Sequence, residues 1–355
     1  MKQLSILKRA LLLLAGVTVL VVVTLAMLSA GGFAARNVLG ALWSGSVGSW
    51  YSITSATLVR SIPLMLTGGA VAVAFRAGVF NIGAEGQLLA GASAATAVAL
   101  ALPHGGMATA MLALLLGAAA GSAWAGIAAL LRARFGVLEV ISTIMLNFVA
   151  LHMVSFLVRG PLQEPTHVYP QTATIADAVH LPQLPGAGRL HAGIVLALLA
   201  LGIGGWGLRR TAIGFRLLVA GESRSAAASA GMMDVERTVW GAFLCSGALA
   251  GLAGAIEVLG VTFALYENIS PGYGYTAIAV ALLAGLDPWR VILSAVLFGA
   301  LEAGAGAMQR DAGVPAALVF VIEALLILGV LGIQAVRWRN QWSAASREEM
   351  REVAT

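Results

Sequence analysis

Apolar runs of about twenty residues recur along this chain, and nothing else in the sequence restricts the fold as tightly. A helix rises 1.5 Å per residue, so about twenty apolar residues cross the ~30 Å hydrocarbon layer of a bilayer. Within that layer a chain must satisfy its own backbone, which leaves helices or closed barrels. The runs lie near 10–30, 52–75, 84–102, 107–131, 137–158, 191–208, 238–260, 273–286, 290–308 and 314–334. Runs of that length suit helices, so the expectation is an all-α polytopic membrane protein of about ten transmembrane helices. Several runs fall short of twenty residues, so tilted or broken helices belong to the expectation.

Composition agrees where it bears on this. Charged residues make up 10% of the 355, against about 25% in soluble domains, and the mean hydropathy is +0.91. The 43 glycines suit helices that meet in lipid, where small residues let backbones approach. The first run follows Lys2, Lys8 and Arg9 and ends at Ser29, Ala30 and Gly31, which resembles a cleaved leader. At about twenty residues it exceeds a usual leader core of about 7–15, so a retained span is expected.

Charge then orients the spans. With a cytoplasmic N-terminus, sixteen of the 21 Lys and Arg fall on the inner side, only Arg36, Arg159, Arg189 and Arg310 fall outside, and Arg60 lies within a span. That bias places both termini in the cytoplasm. Trp206, Trp240, Trp289, Trp338 and Trp342 mark inner ends of runs, and Trp43 and Trp50 outer ends. The organisation expected is a transmembrane domain over 1–335, with an inner loop at about 209–237, and a cytoplasmic tail over 336–355.

Several functions are excluded. The net charge of +5 is spread over the ends of apolar runs, so nucleic acid is not an expected partner, whereas lipid is. Cys245 has no second cysteine to pair with, and His167, His180 and His191 are too widely spaced for a metal cluster, so no metal site is expected. Neither GxSxG nor HExxH occurs. A P-loop needs a lysine after a glycine-rich turn, yet Lys2 and Lys8 are the only lysines. The chain therefore binds no cofactor of its own in this reading; if ATP drives it, a separate subunit hydrolyses the ATP.

Three segments carry polar chemistry. The stretch Arg76 to Gln87 sets three glycines beside Asn81, Glu85 and Gln87 between two apolar runs. Such a break either lines a cavity, as in many transporters, or is a cytoplasmic turn whose polar groups face water. The inner loop reads as a turn at Gly214, a break at Gly221 and a short Ala-rich helix ending at Gly231, fit to be gripped by a partner or simply a helical connector. The loop from Arg159 to Leu190, with five of the ten prolines, reads as an external cap or a connector. Polar groups also fall at or within runs at Arg60, Glu139, Asn147, Glu257, Glu302 and Glu323. Glu302 and Glu323 keep an ion-coupled carrier open as a different mechanism.

Over nearly its whole length the chain resembles the permease subunits of bacterial ABC importers in the branched-chain amino acid and simple sugar superfamily. It is most similar to the branch that serves Bmp-type lipoprotein receptors and takes up nucleosides. The resemblance is carried by Phe80 to Gln87, Glu139 to Asn147, Ala279 to Gly285, and the pattern Gly214, Arg216, Gly221, Ala226, Ala227, Gly231. At Glu222-Ser223 the family commonly has Asn-Pro. The resemblance implies a bacterial inner-membrane importer for nucleosides, with a simple-sugar permease as the alternative. The partners implied are a second related permease, a cytoplasmic ABC ATPase and an extracytoplasmic substrate-binding lipoprotein. The ATPase would be gripped through Arg216, Gly221, Glu222, Ala226, Ala227 and Gly231. A nucleoside needs exchangeable hydrogen bonds and aromatic surface. The candidates for its pathway are Asn81, Glu85 and Gln87, Thr143 and Asn147 on one helix face, and Tyr266, Tyr273 and Tyr275.

Overall fold

The computed structural model describes residues 16, 18–19, 22–223, 227–228, 234–322, 324–325, 328–329 and 332. Among these the regular structure is helical, with two isolated bridges, Gln171 with Tyr266 and Gln183 with His191. The helices are α1 (Val22–Ala30), α2 (Ala35–Ser46), α3 (Trp50–Arg76), α4 (Ala84–Ala101), α5 (Gly106–Phe135), α6 (Glu139–Arg159), α7 (Gly193–Arg210), α8 (Ala212–Glu222), α9 (Val235–Thr262), α10 (Tyr273–Leu283) and α11 (Pro288–Ala312). By length and composition α3, α5, α6, α7, α9 and α11 are six helices able to cross a membrane, or seven spans if α1 and α2, bent by 114°, count as one. At eleven residues α10 is short for a span. The start of the first expected run, residues 10–15, lies outside the described residues, as do the end of the last run, Glu323 and the tail over 336–355.

Contacts divide the chain into a central unit, Ile53–Ala300, and a second unit formed by the segments before and after it. In the second unit the chain turns between α1 and α2 at Gly32, whose φ of +78° suits glycine. Leu28, Val38, Met308, Val314, Val319 and Ile322 make its apolar interior.

The central unit is layered. The most apolar window of α3 is 83% buried and that of α9 is 72%, against 28% for each of α5, α6 and α7. Helices α3, α4 and α9 therefore form the inside, and α5, α6 and α7 coat them. The reason is a seam of glycines: Gly117 and Gly121 on α5 face Gly247 and Gly251 on α9, each pair four residues apart. A Cβ added at Gly121 would stand 2.6 Å from the Cα of Gly251. With no hydrophobic drive between helices in lipid, such backbone approach supplies the packing.

Two of the three inner helices carry π-turns, Ile53–Leu58 in α3 and Val258–Thr262 in α9. The loop from residue 160 to 192 is sewn to the second of these by backbone bonds. Leu181 donates to Leu259 O at 2.9 Å, Ile175 to Phe263 O and Thr172 to Leu265 O, each at 2.8 Å. Ile175, Val179 and Leu181 are buried beneath it, and His180 stacks on Phe263 with ring centroids 4.0 Å apart. The loop is thus an ordered cover over that end of the inner helices.

Candidate functional site

The break between α3 and α4 organises the polar interior. Helix α3 stops because Gly78 adopts φ +66°, and Val79 donates back to Ala74 O at 3.0 Å, so a left-handed glycine closes the helix. The chain then turns on Asn81, whose Oδ1 accepts from the Gly83 N–H at 2.9 Å. Asn81 and Gln87 exchange two amide hydrogen bonds of 3.1 and 3.0 Å, and Asn81 Nδ2 also donates to Ser246 Oγ on α9 at 2.9 Å.

Helix α6 completes the start of α4. The Gly86 N–H, an orphan donor of the first turn, donates to Asn147 Oδ1 at 2.8 Å. Asn147 Nδ2 returns a bond to Ile82 O at 3.0 Å, and Thr143 Oγ1 accepts from the Ile82 N–H at 3.3 Å. A single side chain one helix away thus bridges both sides of the break. Glu85 reaches the other way: its Oε2 accepts from Gly274 N at 2.7 Å, in the first turn of α10, where an anion is favoured by the helix dipole.

Asn81, Glu85, Gln87, Thr143 and Asn147 are all buried, so the turn with water-facing polar groups is overturned. The same burial means that these groups are saturated by the protein itself. Tyr275 brings the network to the surface: its hydroxyl lies 3.4 Å from Asn147 Nδ2, yet the side chain is 45% exposed. Tyr266, 36% exposed, sits apart beside Gln171, and Tyr273 is buried.

Sequence reasoning missed three groups. Ser246 lies in an apolar helix with no motif around it. Glu267 accepts from Ser155 and, at 2.8 Å, from Arg159 Nη2. The Arg159 guanidinium and the Ser155 hydroxyl hold its carboxyl down at about 2. Asp287 caps α11 by accepting from Trp289 N at 3.0 Å, binds Arg209, and lies 3.9 Å from Arg76. Burial pushes its carboxyl up, but the Arg209 hydrogen bond and the N–H groups of Arg290 and Trp289 bring it below the usual range. The Asp287-Pro288 pair was a legible start signal for a helix.

The inner loop differs from its expected shape. Helix α8 runs unbroken from Ala212 through Gly214 to Glu222, because Thr211 caps it by accepting from Gly214 N at 3.3 Å. Arg216, Gly221 and Glu222 are exposed on it, alongside Ile213 and Phe215 at 69% and 65%. Ala227 is buried, so its methyl is covered by the chain itself and is not open to a partner. Ala226 and Gly231 lie outside the described residues. Gly221 packs on the carbonyl of Arg76, and an added Cβ would stand 3.1 Å from Gly78 N. The loop therefore touches the backbone that leads into the polar break.

A broken inner helix, buried amides across the break and the inner loop packed against it make up the site. Residues 53–331 match the family model for the permease component of branched-chain amino acid transport systems. The chain belongs to this family. It is 40% identical to a guanosine ABC transporter permease protein of Bacillus subtilis over 86% of this chain and 88% of that one. It is also 40% identical to a glucose ABC transporter permease protein of Haloferax volcanii, over 87% and 85%. A nucleoside ABC transporter permease protein of Lactococcus lactis is 32% identical over 81% and 80%. No solved structure matches the chain. It is a multi-pass membrane permease subunit of an ABC transporter, a transport component and not an enzyme.

Proposed function

We propose that this permease imports nucleosides across a bacterial inner membrane, driven by a separate cytoplasmic ABC ATPase. The observation that carries the reading is the 40% identity over most of both chains to the guanosine permease, joined by a second nucleoside permease at 32%. The chain's lack of lysine beyond Lys2 and Lys8 puts the P-loop on another subunit. An external lipoprotein receptor delivers the solute and a second related permease completes the channel. Both termini are cytoplasmic, about ten spans cross the membrane, and the loop over 160–192 is external, as the Arg and Lys bias supports.

In this reading the solute moves along the surface to which Tyr275 and Tyr266 contribute, with Asn147 directly behind Tyr275. Asn81, Glu85, Gln87 and Thr143 hold the frame of that wall, and Tyr273 packs behind it. The ATPase docks at α8 and the residues after it, on Arg216, Gly221 and Glu222 and on exposed Ile213 and Phe215, with Ala226 and Gly231 continuing the segment. A sugar permease is the second reading, favoured by the equal identity to the glucose permease.

Uptake of labelled guanosine by cells expressing the whole transporter tests the choice. Competition by unlabelled nucleosides and not by glucose or pentoses is expected. Competition by sugars alone would transfer the assignment to the second reading.

A further inference from the structure

Helix α6 has 21 residues, about 31 Å at 1.5 Å per residue, which matches the hydrocarbon layer. Its exposed side chains include Met145, Phe148, Val149 and Phe156, and among them His152. His152 stands roughly 20 Å from the Glu139 end and 10 Å from the Arg159 end, well inside the layer. Among the described residues, none of the other five span-length helices exposes an acidic, basic or imidazole side chain more than three residues from its ends. No described residue hydrogen-bonds the His152 ring.

Two surroundings can be set aside on physical grounds. Lipid is a poor one, because ionisable groups at that depth turn to protein or to water-filled cavities. A tightly packed helix contact is also a poor one, since such contacts are made by Gly, Ala and Ser, and this face is built from Met, Phe and Val. A wet surface remains, and the neighbours fit it. Ser155 and Arg159 follow His152 on the same face, three and seven residues on, and both bind Glu267. Arg159 keeps 63% of its side chain exposed. Asn147, five residues before and turned about 140° around the helix from His152, holds the exposed Tyr275.

We propose that His152 faces the solute pathway and hydrogen-bonds the passing nucleoside, making it a specificity-determining contact. This rests on the nucleoside reading above. A neutral imidazole offers one donor and one acceptor on a flat ring, which suits a base edge or a ribose hydroxyl.

The test uses the complete transporter in cells, with Cys245→Ser as background. His152→Cys should react with a charged, membrane-impermeant methanethiosulfonate, and guanosine should slow that reaction. Leu115→Cys, on the purely apolar exposed face of α5, should react only with a lipid-soluble maleimide. In parallel, His152→Ala should raise the apparent KM for guanosine about fivefold, as loss of one hydrogen bond implies, and alter the preference between guanosine and uridine. Membrane abundance should be unchanged, and His152→Gln should restore most of the affinity. Reaction of His152→Cys with the maleimide alone places the residue in lipid, and no reaction with either reagent places it in a dry contact; each result overturns the proposal. Should the cysteine variant fail to accumulate, the KM comparison decides, and an unchanged KM and preference in both other variants overturns it. Failure at His152 with normal wild-type guanosine uptake leaves the nucleoside reading standing, whereas wild type that takes up no nucleoside sinks both.

Discussion

At the scale of single residues, the polar break depends on side chains that have no water to fall back on. Asn81→Ala removes bonds to Gln87, Ser246 and Gly83 together. It leaves a buried amide unpaired, at about 1–3 kcal/mol per unsatisfied group. Asn147→Ala likewise strips partners from Gly86 and Ile82. Both variants should accumulate less in the membrane and melt earlier in detergent, while Tyr275→Phe should keep abundance and change uptake. Wild-type melting in Asn81→Ala would contradict this assignment of roles. Glu267 gives a pH prediction. Arg159 and Ser155 hold its carboxyl down at about 2, so the pair stabilises fully above the ordinary carboxyl range and weakens as pH falls toward 2. The difference in melting temperature between wild type and Glu267→Gln should be flat from pH 8 to about 5 and shrink below that. A difference that changes between pH 8 and 6 would point to another group.

At the scale of elements, the glycine seam between α5 and α9 decides whether the inner layer can close. A Cβ at Gly121 meets backbone atoms of Gly251 at 2.6 Å, while one at Gly241, on the same α9, meets nothing within 4 Å. Gly121→Ala should therefore destabilise by about 1–3 kcal/mol, as overpacking does. Gly241→Ala should be neutral or slightly stabilising through helix propensity. Melting curves in detergent compare the two, and equal curves would refute the close approach. The start of α11 is a second case, because Asp287 both caps the helix and ties down Arg209. Asp287→Ala should cost about 1 kcal/mol through the cap alone, read as an earlier melting midpoint.

For the whole molecule, the cover loop and the termini should lie on opposite sides of the membrane. A cysteine at Pro185, exposed in that loop, should react with an impermeant reagent on intact cells, and a tag after Arg339 should not be reached from outside. Thr172 is buried and would be a misleading probe. The sequence by itself determined the element list: α3, α5, α6, α7 and α9 begin and end within a few residues of their apolar runs, because hydropathy reports which segments leave water. It also determined that Thr143 and Asn147 share a face, since four residues make one turn. Hydropathy is blind, however, to whether an apolar surface meets lipid or another helix, so the inner place of α3, α4 and α9 and the outer place of α5 to α7 appear only as burial in the fold, and the close approach of α5 to α9 only as contacts between glycines of distant segments. The partners of the break were equally hidden. Asn81 finds Ser246 across 165 residues and Glu85 finds Gly274 across 189. Hydrogen-bond pairing is a property of geometry, and only the tertiary structure brings those groups within 3 Å, buries the break that could have faced water, and leaves Tyr275 and His152 uncovered.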